Sequence, residues 1–200
     1  GTTLVQRLLC SASNCLVYGE SCANDLMVFS NLLLTKKHTL RVNPQQREAQ
    51  LQRVLAGQVN DWIADLRPPI AVQEQAYLKS MQTVLQAYGQ FAAQQGRPIW
   101  GVKLAGWLPQ NLVQFSLLFP KIKLIYIVRP LKDCVRSAKG AGHINSLPEV
   151  QQYAQLWQQN QQFIAQHFPK NRLLWLPYEK LLSQTPDCIQ QLETFSGAAD

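Results

Sequence analysis

The sequence has little charge, few methionines and no long apolar run. Charged residues make up 16% of its 200 residues, against about 25% in a typical soluble domain. No run approaches the roughly 18 uninterrupted apolar residues that a membrane-spanning helix needs, so we expect no membrane insertion. A mean hydropathy of −0.14, together with regularly spaced apolar residues, argues against a disordered chain.

The cysteines lack the pattern of a disulfide framework or a zinc site. There are five of them, Cys10, Cys15, Cys22, Cys134 and Cys188. Their number is odd, they contain no Cys-x-x-Cys pair, and the three histidines do not complete a metal-ligand spacing with them. We therefore expect free thiols in a reducing, cytoplasmic compartment, and no metal site.

The chain is basic, with 19 Lys and Arg against 12 Asp and Glu and a formal net charge of +7. A basic surface favours anionic partners, which include nucleic acids, anionic membranes and small molecules that carry phosphate or sulfate. The charges are scattered and form no basic arm, so we expect no nucleic-acid partner. The length predicts a single domain over 1–200.

The apolar periodicity predicts strands that alternate with helices, which is typical of parallel β-α-β units. The predicted strands are 98–104, 123–128 and 172–176. The predicted helices include one from Leu4 onward, then 22–36, 45–66, 71–94, 109–118, one ending near 138, 149–167 and two short helices at the end. A domain of this class seldom begins at the first residue of a helix, so we expect that a strand normally precedes residue 1.

An arginine follows the clearest predicted strand. Arg129 comes directly after 123–128, with Asp133 and Ser137 four and eight residues further on. Ligands of open α/β sheets bind at the carboxyl ends of the strands, and a guanidinium suits a phosphate. Ser137 could add a hydroxyl. The alternative is an Arg–Asp pair that closes a helix start and contributes about 0.5 kcal/mol if exposed.

Four other positions could serve the same ligand. Gly1-Thr2-Thr3 at a helix start offers free N–H groups to an anion, although Thr is also a common N-cap. Lys103 ends a predicted strand and could neutralise a transferred anionic group, or be a solvated strand end. Glu20 could accept a proton from a nucleophilic hydroxyl, or merely neighbour a helix N-cap. His143, in a glycine-containing loop, is an alternative base.

Three segments together resemble the sulfotransferase family, whose members use 3′-phosphoadenosine 5′-phosphosulfate (PAPS). Gly1-Thr2-Thr3-Leu4 is similar to the end of the family's 5′-phosphosulfate loop. The run from Leu124 to Ser137 is similar to the 3′-phosphate motif, and Leu176-Pro-Tyr178-Glu179-Lys-Leu181 to a later Tyr-Glu-x-Leu segment. The matches keep their order over most of the chain, and 21–97 is the unmatched middle. The position of Glu20 and Lys103 is closest to the tyrosylprotein and bacterial-type branches.

The resemblance implies a P-loop NTPase-like three-layer α/β fold with a central parallel sheet and a large helical insertion, about 22–94, that forms the acceptor pocket or a lid. It implies transfer of a sulfuryl group from PAPS, which leaves adenosine 3′,5′-bisphosphate (PAP), to an acceptor hydroxyl or amine without a metal. In the implied mechanism Glu20 is the base and Lys103 stabilises the sulfuryl group. The resemblance further implies that Arg129 and Ser137 bind the 3′-phosphate and that Tyr178 contacts the nucleotide. The implied ligands of the 5′ side are Gly1, Thr2 and Thr3.

Two departures from the family pattern keep alternatives open. The strand and the basic-Ser half of the 5′ loop are not in the sequence, and Glu20 is followed by Ser21 where the tyrosylprotein branch has a second acid. One alternative is a truncated, non-catalytic remnant that binds a nucleotide or a partner. Another is a P-loop kinase of a small molecule, which the lack of a Gly-Lys-[Ser/Thr] signature disfavours. The acceptor can be a small molecule, a carbohydrate, a lipid or a peptide, and the sequence does not determine the oligomeric state.

Overall fold

A computed structural model describes residues 1–40, 44–58, 68–104 and 108–199. Within these residues the elements are α1 (Thr2–Ser11), β1 (Cys15–Tyr18), α2 (Glu20–Leu40), α3 (Pro44–Leu55), α4 (Ile70–Gln94), β2 (Ile99–Val102), α5 (Pro109–Leu118), β3 (Leu124–Val128), α6 (Leu131–Gly140), α7 (Leu147–His167), β4 (Leu173–Pro177), α8 (Tyr178–Ser183) and α9 (Thr185–Ser196). The chain is therefore mixed α/β, mostly helical with short strands. It divides into two compact units, one of Gly1–Ala23 with Gly89–Asp200 and one of Asn24–Tyr88.

The strands pair in parallel, as the alternation of strands and helices predicts. β1 pairs with β2, so that Cys15 lies opposite Ile99, and β3 pairs with β4, so that Leu124 lies opposite Leu173. The described residues form two two-stranded sheets, whereas the resemblance implied one central sheet. β3 is the run Leu-Ile-Tyr-Ile-Val, and such continuous apolar, β-branched and aromatic sequence is typical of a parallel strand covered on both faces.

The sequence analysis missed strand β1. Its four residues, Cys-Leu-Val-Tyr, lie between two helices, and a run this short has no periodicity of its own. Hydrogen bonds extend its pairing with β2 at both ends, because Ile99 N donates to Asn14 O at 3.1 Å and Lys103 N donates to Tyr18 O at 2.9 Å. The pairing therefore places the residues that follow β1 beside those that follow β2.

One hydrophobic core joins α1 to both sheets. It includes Val5 and Leu9 of α1, Leu176 of β4, Leu181 of α8 and Leu192 of α9, all buried. Partly buried side chains of all four strands pack against this core, namely Val17, Ile99, Ile125, Ile127 and Leu174. Burial of one such leucine stabilises the fold by about 2 kcal/mol. The core therefore fixes α1 against the strands.

Arg97 ties the end of α1 to the start of β1. Its Nη1 donates to the carbonyl oxygens of Cys10, Ala12 and Cys15 at 2.7, 3.1 and 2.7 Å. These carbonyls belong to the last turn of α1 and to the residues that follow it, where the helix supplies no further N–H donors. The guanidinium therefore joins the end of α1 to the start of β1.

Arg172 has a similar structural role at the end of α5. Its Nη1 donates to Ser116 O at 3.2 Å and to Pro120 O at 2.8 Å. The first carbonyl lies in the last turn of α5 and the second in the chain that leads to β3. Arg172 itself directly precedes β4, so these hydrogen bonds link the entry of β4 to the entry of β3.

The described residues of the second unit lie mainly in α2, α3 and α4. Among them, Leu26, Leu33 and Met81 are large buried apolar residues, and each is at most 2% exposed. The Tyr88 hydroxyl donates to Asp25 Oδ2 at 2.9 Å, which links the start of this segment to its end. These residues lie on two of the helices that the periodicity predicts.

The predicted helix 45–66 is too long. α3 ends at Leu55, and Gly57 adopts a positive φ of 79°. Gln58 N then donates to Arg53 O at 3.0 Å, which is the hydrogen bond of a Schellman C-cap. Gly57 therefore ends the helix, and the remaining predicted positions from 59 to 66 lie outside the described residues.

In the part of the chain that the structure describes, no helix is both long and apolar enough to cross a membrane. All five cysteines lie in this part and are free thiols.

Candidate functional site

Each of the four parallel strands ends next to a residue that the sequence analysis singled out. Glu20 lies two residues after β1, and Lys103, Arg129 and Tyr178 directly follow β2, β3 and β4. The carboxyl ends of parallel strands are where α/β proteins bind ligands. Four residues taken from distant parts of the sequence thus occupy equivalent places in the fold.

Lys103 brings two other candidates together. Its Nζ donates to Thr3 Oγ1 at 3.1 Å and lies 2.8 Å from Glu20 Oε1. The Lys103 side chain is 16% exposed, whereas that of Glu20 is 50% exposed. The ammonium is therefore largely enclosed, and it connects the first turn of α1 with the first residue of α2, while half of the Glu20 side chain stays open to solvent.

Arg129 and Tyr178 form a second group with Gly1. The Arg129 guanidinium lies over the Tyr178 ring, 5.2 Å from its centroid. Gly1 packs against the same ring, because a Cβ added to it would lie 2.9 Å from Tyr178 Cδ2 and 3.1 Å from Ile127 Cγ2. Only a residue without a side chain allows this approach. The tyrosine ring is thus in contact with both Arg129 and the start of α1.

The start of α1 connects the two groups. Gly1 contacts the Tyr178 ring and Thr3 contacts Lys103, and both belong to the first turn of the helix. This turn contains no acidic residue and no side-chain cap, so its N–H groups are free to bind an anion. Lys103 and Arg129 add positive charge. The arrangement can bind a phosphate or sulfate group.

Other candidates lie apart from these contacts. Thr2 and Ser137 are exposed, the latter two turns into α6. Asp133 lies 3.6 Å from Arg136, so its ion pair is formed with a neighbour on the same helix. His143 is exposed in the loop after α6, where its backbone N–H donates to Ala138 O. The described ranges contain no group of three or more His, Cys, Asp or Glu side chains that could bind a metal ion.

The family model described as the sulfotransferase family matches residues 1–199. The chain belongs to the sulfotransferase family. This confirms the resemblance that the motifs indicated, and it supports sulfuryl transfer as the general activity. No curated protein sequence matches this sulfotransferase, and no solved structure does.

The sequence analysis assigned no role to Cys134, which contacts Arg129 in the structure. Cys134 Sγ donates to Arg129 O at 3.6 Å. Burial raises the pKa of this thiol, and the opposing effects of the Arg129 guanidinium and of hydrogen bonds from Trp157 and Tyr153 are smaller. Burial also raises the pKa of Tyr153, as do the charge of Cys134 and the hydrogen bond to it. A cysteine inside a helix gives no sequence signal for such contacts.

A groove lies at the opposite end of the β3–β4 sheet, where the two strands begin. It is an open groove of about 750 Å³, lined by Lys123, Asn171, Leu174, Asp187, Gln190, Gln191, Thr194 and Phe195. Lys123 and Asn171 precede β3 and β4, whereas Arg129 and Tyr178 follow them. The groove is therefore separate from the candidate site of the sulfotransferase.

Proposed function

We propose that this sulfotransferase transfers a sulfuryl group from PAPS to an acceptor hydroxyl or amine. The observation that carries the proposal is the double contact of Lys103 Nζ, with Thr3 in the first turn of α1 and with Glu20. A cation, a helix N-terminus and a carboxylate in contact are what in-line transfer of an anionic group from an activated donor to a hydroxyl requires.

The residues at the strand ends fit a nucleotide with two anionic ends. Arg129 Nε is buried and has no hydrogen-bond partner among the described residues, so a bound anion would satisfy a donor that the protein leaves unpaired. We assign the 3′-phosphate to Arg129 with Ser137, and the nucleotide contact to Tyr178. The free N–H groups of the first turn of α1, from Gly1 to Thr3, suit the 5′ side.

When bound, PAPS supplies the activated sulfuryl group. Glu20 is the proposed base, since its half-exposed carboxylate can reach the proton of an acceptor hydroxyl. Lys103 keeps that carboxylate in place through the 2.8 Å ion pair, and its own charge counters the negative charge that builds up during transfer. The scheme uses no metal ligand.

We also propose that the two strand pairs are parts of one P-loop-like three-layer fold. Their parallel pairing supports this proposal, as do the side chains that both pairs contribute to one hydrophobic core. The helical segment 22–94 remains the proposed acceptor region, and the compactness of Asn24–Tyr88 as a unit supports a distinct role for it. Small molecules, carbohydrates, lipids and peptides are all open as acceptors.

Calorimetric titration with PAP tests the cofactor, with AMP as the analogue that lacks the 3′-phosphate and with ATP as the kinase substrate. We expect micromolar binding of PAP without Mg²⁺, weaker binding of AMP, and no Mg²⁺-dependent binding of ATP. Mg²⁺-dependent binding of ATP in preference to PAP would support a kinase instead.

The variant Arg129→Ala tests the assignment of the 3′-phosphate. We expect PAP binding to weaken by about 2–3 kcal/mol, which is the scale of a lost charge-assisted contact, while AMP binding changes little. Arg136→Ala is the matched control, because it removes the same charge from a side chain that is 71% exposed on α6. Unchanged PAP affinity in folded Arg129→Ala would contradict the assignment.

A further inference from the structure

Cys134 lies at the centre of a group of contacts beside Arg129. It belongs to the first turns of α6, and its thiol donates to Arg129 O at 3.6 Å. Tyr153 and Trp157 are four residues apart on α7, so they lie on one face of that helix, and both side chains lower the pKa of the Cys134 thiol, although burial raises it more. α6 packs directly against α7. Cys134 therefore contacts the peptide group of Arg129 from a helix that packs against α7.

The chemistry of a thiol suits this position. A neutral thiol has one weak donor, and Cys134 uses this donor for the Arg129 carbonyl. Because burial raises the pKa of Cys134, the thiol keeps its proton at neutral pH. The S–H donor is therefore available to Arg129 throughout the physiological range.

Arg129 is constrained from two sides. Its carbonyl accepts from Cys134, and its guanidinium lies over the Tyr178 ring. Its Nε remains without a partner among the described residues. A guanidinium recognises an anion well only when its planar fork is correctly oriented, so a small shift of the Arg129 backbone would reduce the contribution of the arginine.

We propose that Cys134 is a positioning residue that sets the backbone of Arg129, so that its guanidinium meets the 3′-phosphate of the nucleotide. The proposal rests on the proposed function, because it assigns a phosphate to Arg129. It predicts an effect on selectivity for the 3′-phosphate in addition to any effect on stability.

The test is the ratio of the dissociation constants for AMP and PAP, measured by calorimetry on the whole chain. Cys134→Ala removes the donor to Arg129, and we expect the ratio to fall about fivefold. Cys134→Ser restores a donor of similar size, and its ratio should stay within about twofold of the wild-type value. Cys134→Val also lacks a donor but fills the space of the thiol, so it should lower the ratio as Cys134→Ala does.

Cys188→Ala is the matched control. Cys188 is a thiol of the hydrophobic core, 2% exposed, so its loss should lower the melting temperature and leave the ratio unchanged. A folded Cys134→Ala with the wild-type ratio, or with equal losses for both nucleotides, would overturn the proposal. If Cys134→Ala does not fold, a wild-type ratio in Cys134→Val overturns it. A wild-type protein that binds AMP as tightly as PAP overturns the proposed function as well.

Discussion

We expect replacement of Lys103 to lower the catalytic rate far more than the stability of the fold. In Lys103→Met the side chain keeps most of its length and its apolar stem but loses the ammonium. The two contacts that disappear are the 2.8 Å ion pair with Glu20 and the 3.1 Å hydrogen bond to Thr3. We expect a small loss of stability and a large loss of rate.

The contacts determine the size of each effect. Glu20 is half exposed, so solvent screens the ion pair and its contribution is at most about 1 kcal/mol. The hydrogen bond to Thr3 adds about 1 kcal/mol. The free energy of unfolding should therefore fall by about 1–2 kcal/mol. Removal of a preorganised group that stabilises developing charge typically lowers kcat by about 10²–10³-fold, and we expect a loss of this size.

The assay is conversion of PAPS to PAP in the presence of a mixed set of hydroxyl and amine acceptors, with urea unfolding and PAP titration on the same samples. PAP binding should weaken by less than about tenfold, because the charge that Lys103 counters builds up mainly during transfer. Lys123→Met is the matched control, since Lys123 precedes β3 and contacts Phe195 O at 2.6 Å. It should retain the wild-type kcat. A folded Lys103→Met with kcat within about threefold of wild type would refute the role of Lys103.

Two further predictions concern the scaffold. Arg172→Met removes hydrogen bonds to carbonyl oxygens such as Pro120 O, which is 2.8 Å away. In urea titrations the free energy of unfolding should therefore fall by about 2–3 kcal/mol, and a change below about 0.5 kcal/mol would contradict this role. Backbone N–H donation from Asn145, and then from Ser146, lowers the pKa of Glu149. The ionised Glu149 side chain therefore stabilises the fold above the pKa of about 4.3 that it has in the unfolded chain. This stabilisation is lost as the pH falls through the lower pKa that Glu149 has in the folded protein. Glu149→Gln should flatten the stability curve in that acidic range, and an unchanged slope would count against it.

The candidate site was largely predictable because its signals are local. Arg129 follows the most apolar strand, Lys103 lies at the end of the predicted strand 98–104, and Tyr178 follows the predicted strand 172–176 in a segment that resembles the family. Parallel strands bring their carboxyl ends to one edge, so spacing along the chain already indicated proximity. Glu20 was identified without its strand, since β1 is only four residues long. The contact between Cys134 and Arg129 O was not predicted, because a cysteine inside a helix gives no sequence signal for it.

The sequence by itself determined most of the helices, three of the four described strands, their parallel pairing, and the resemblance to the sulfotransferase family. These properties follow from periodicity, from residues at strand ends and from motifs that each occupy a short segment. Only the tertiary structure decided that Lys103 contacts both Thr3 and Glu20, that the Tyr178 ring contacts both Gly1 and Arg129, and that the described strands form two pairs. These are contacts between segments up to 177 residues apart, from Gly1 to Tyr178. Such contacts depend on how side chains fill one shared core, and the pattern of a single segment does not contain that information.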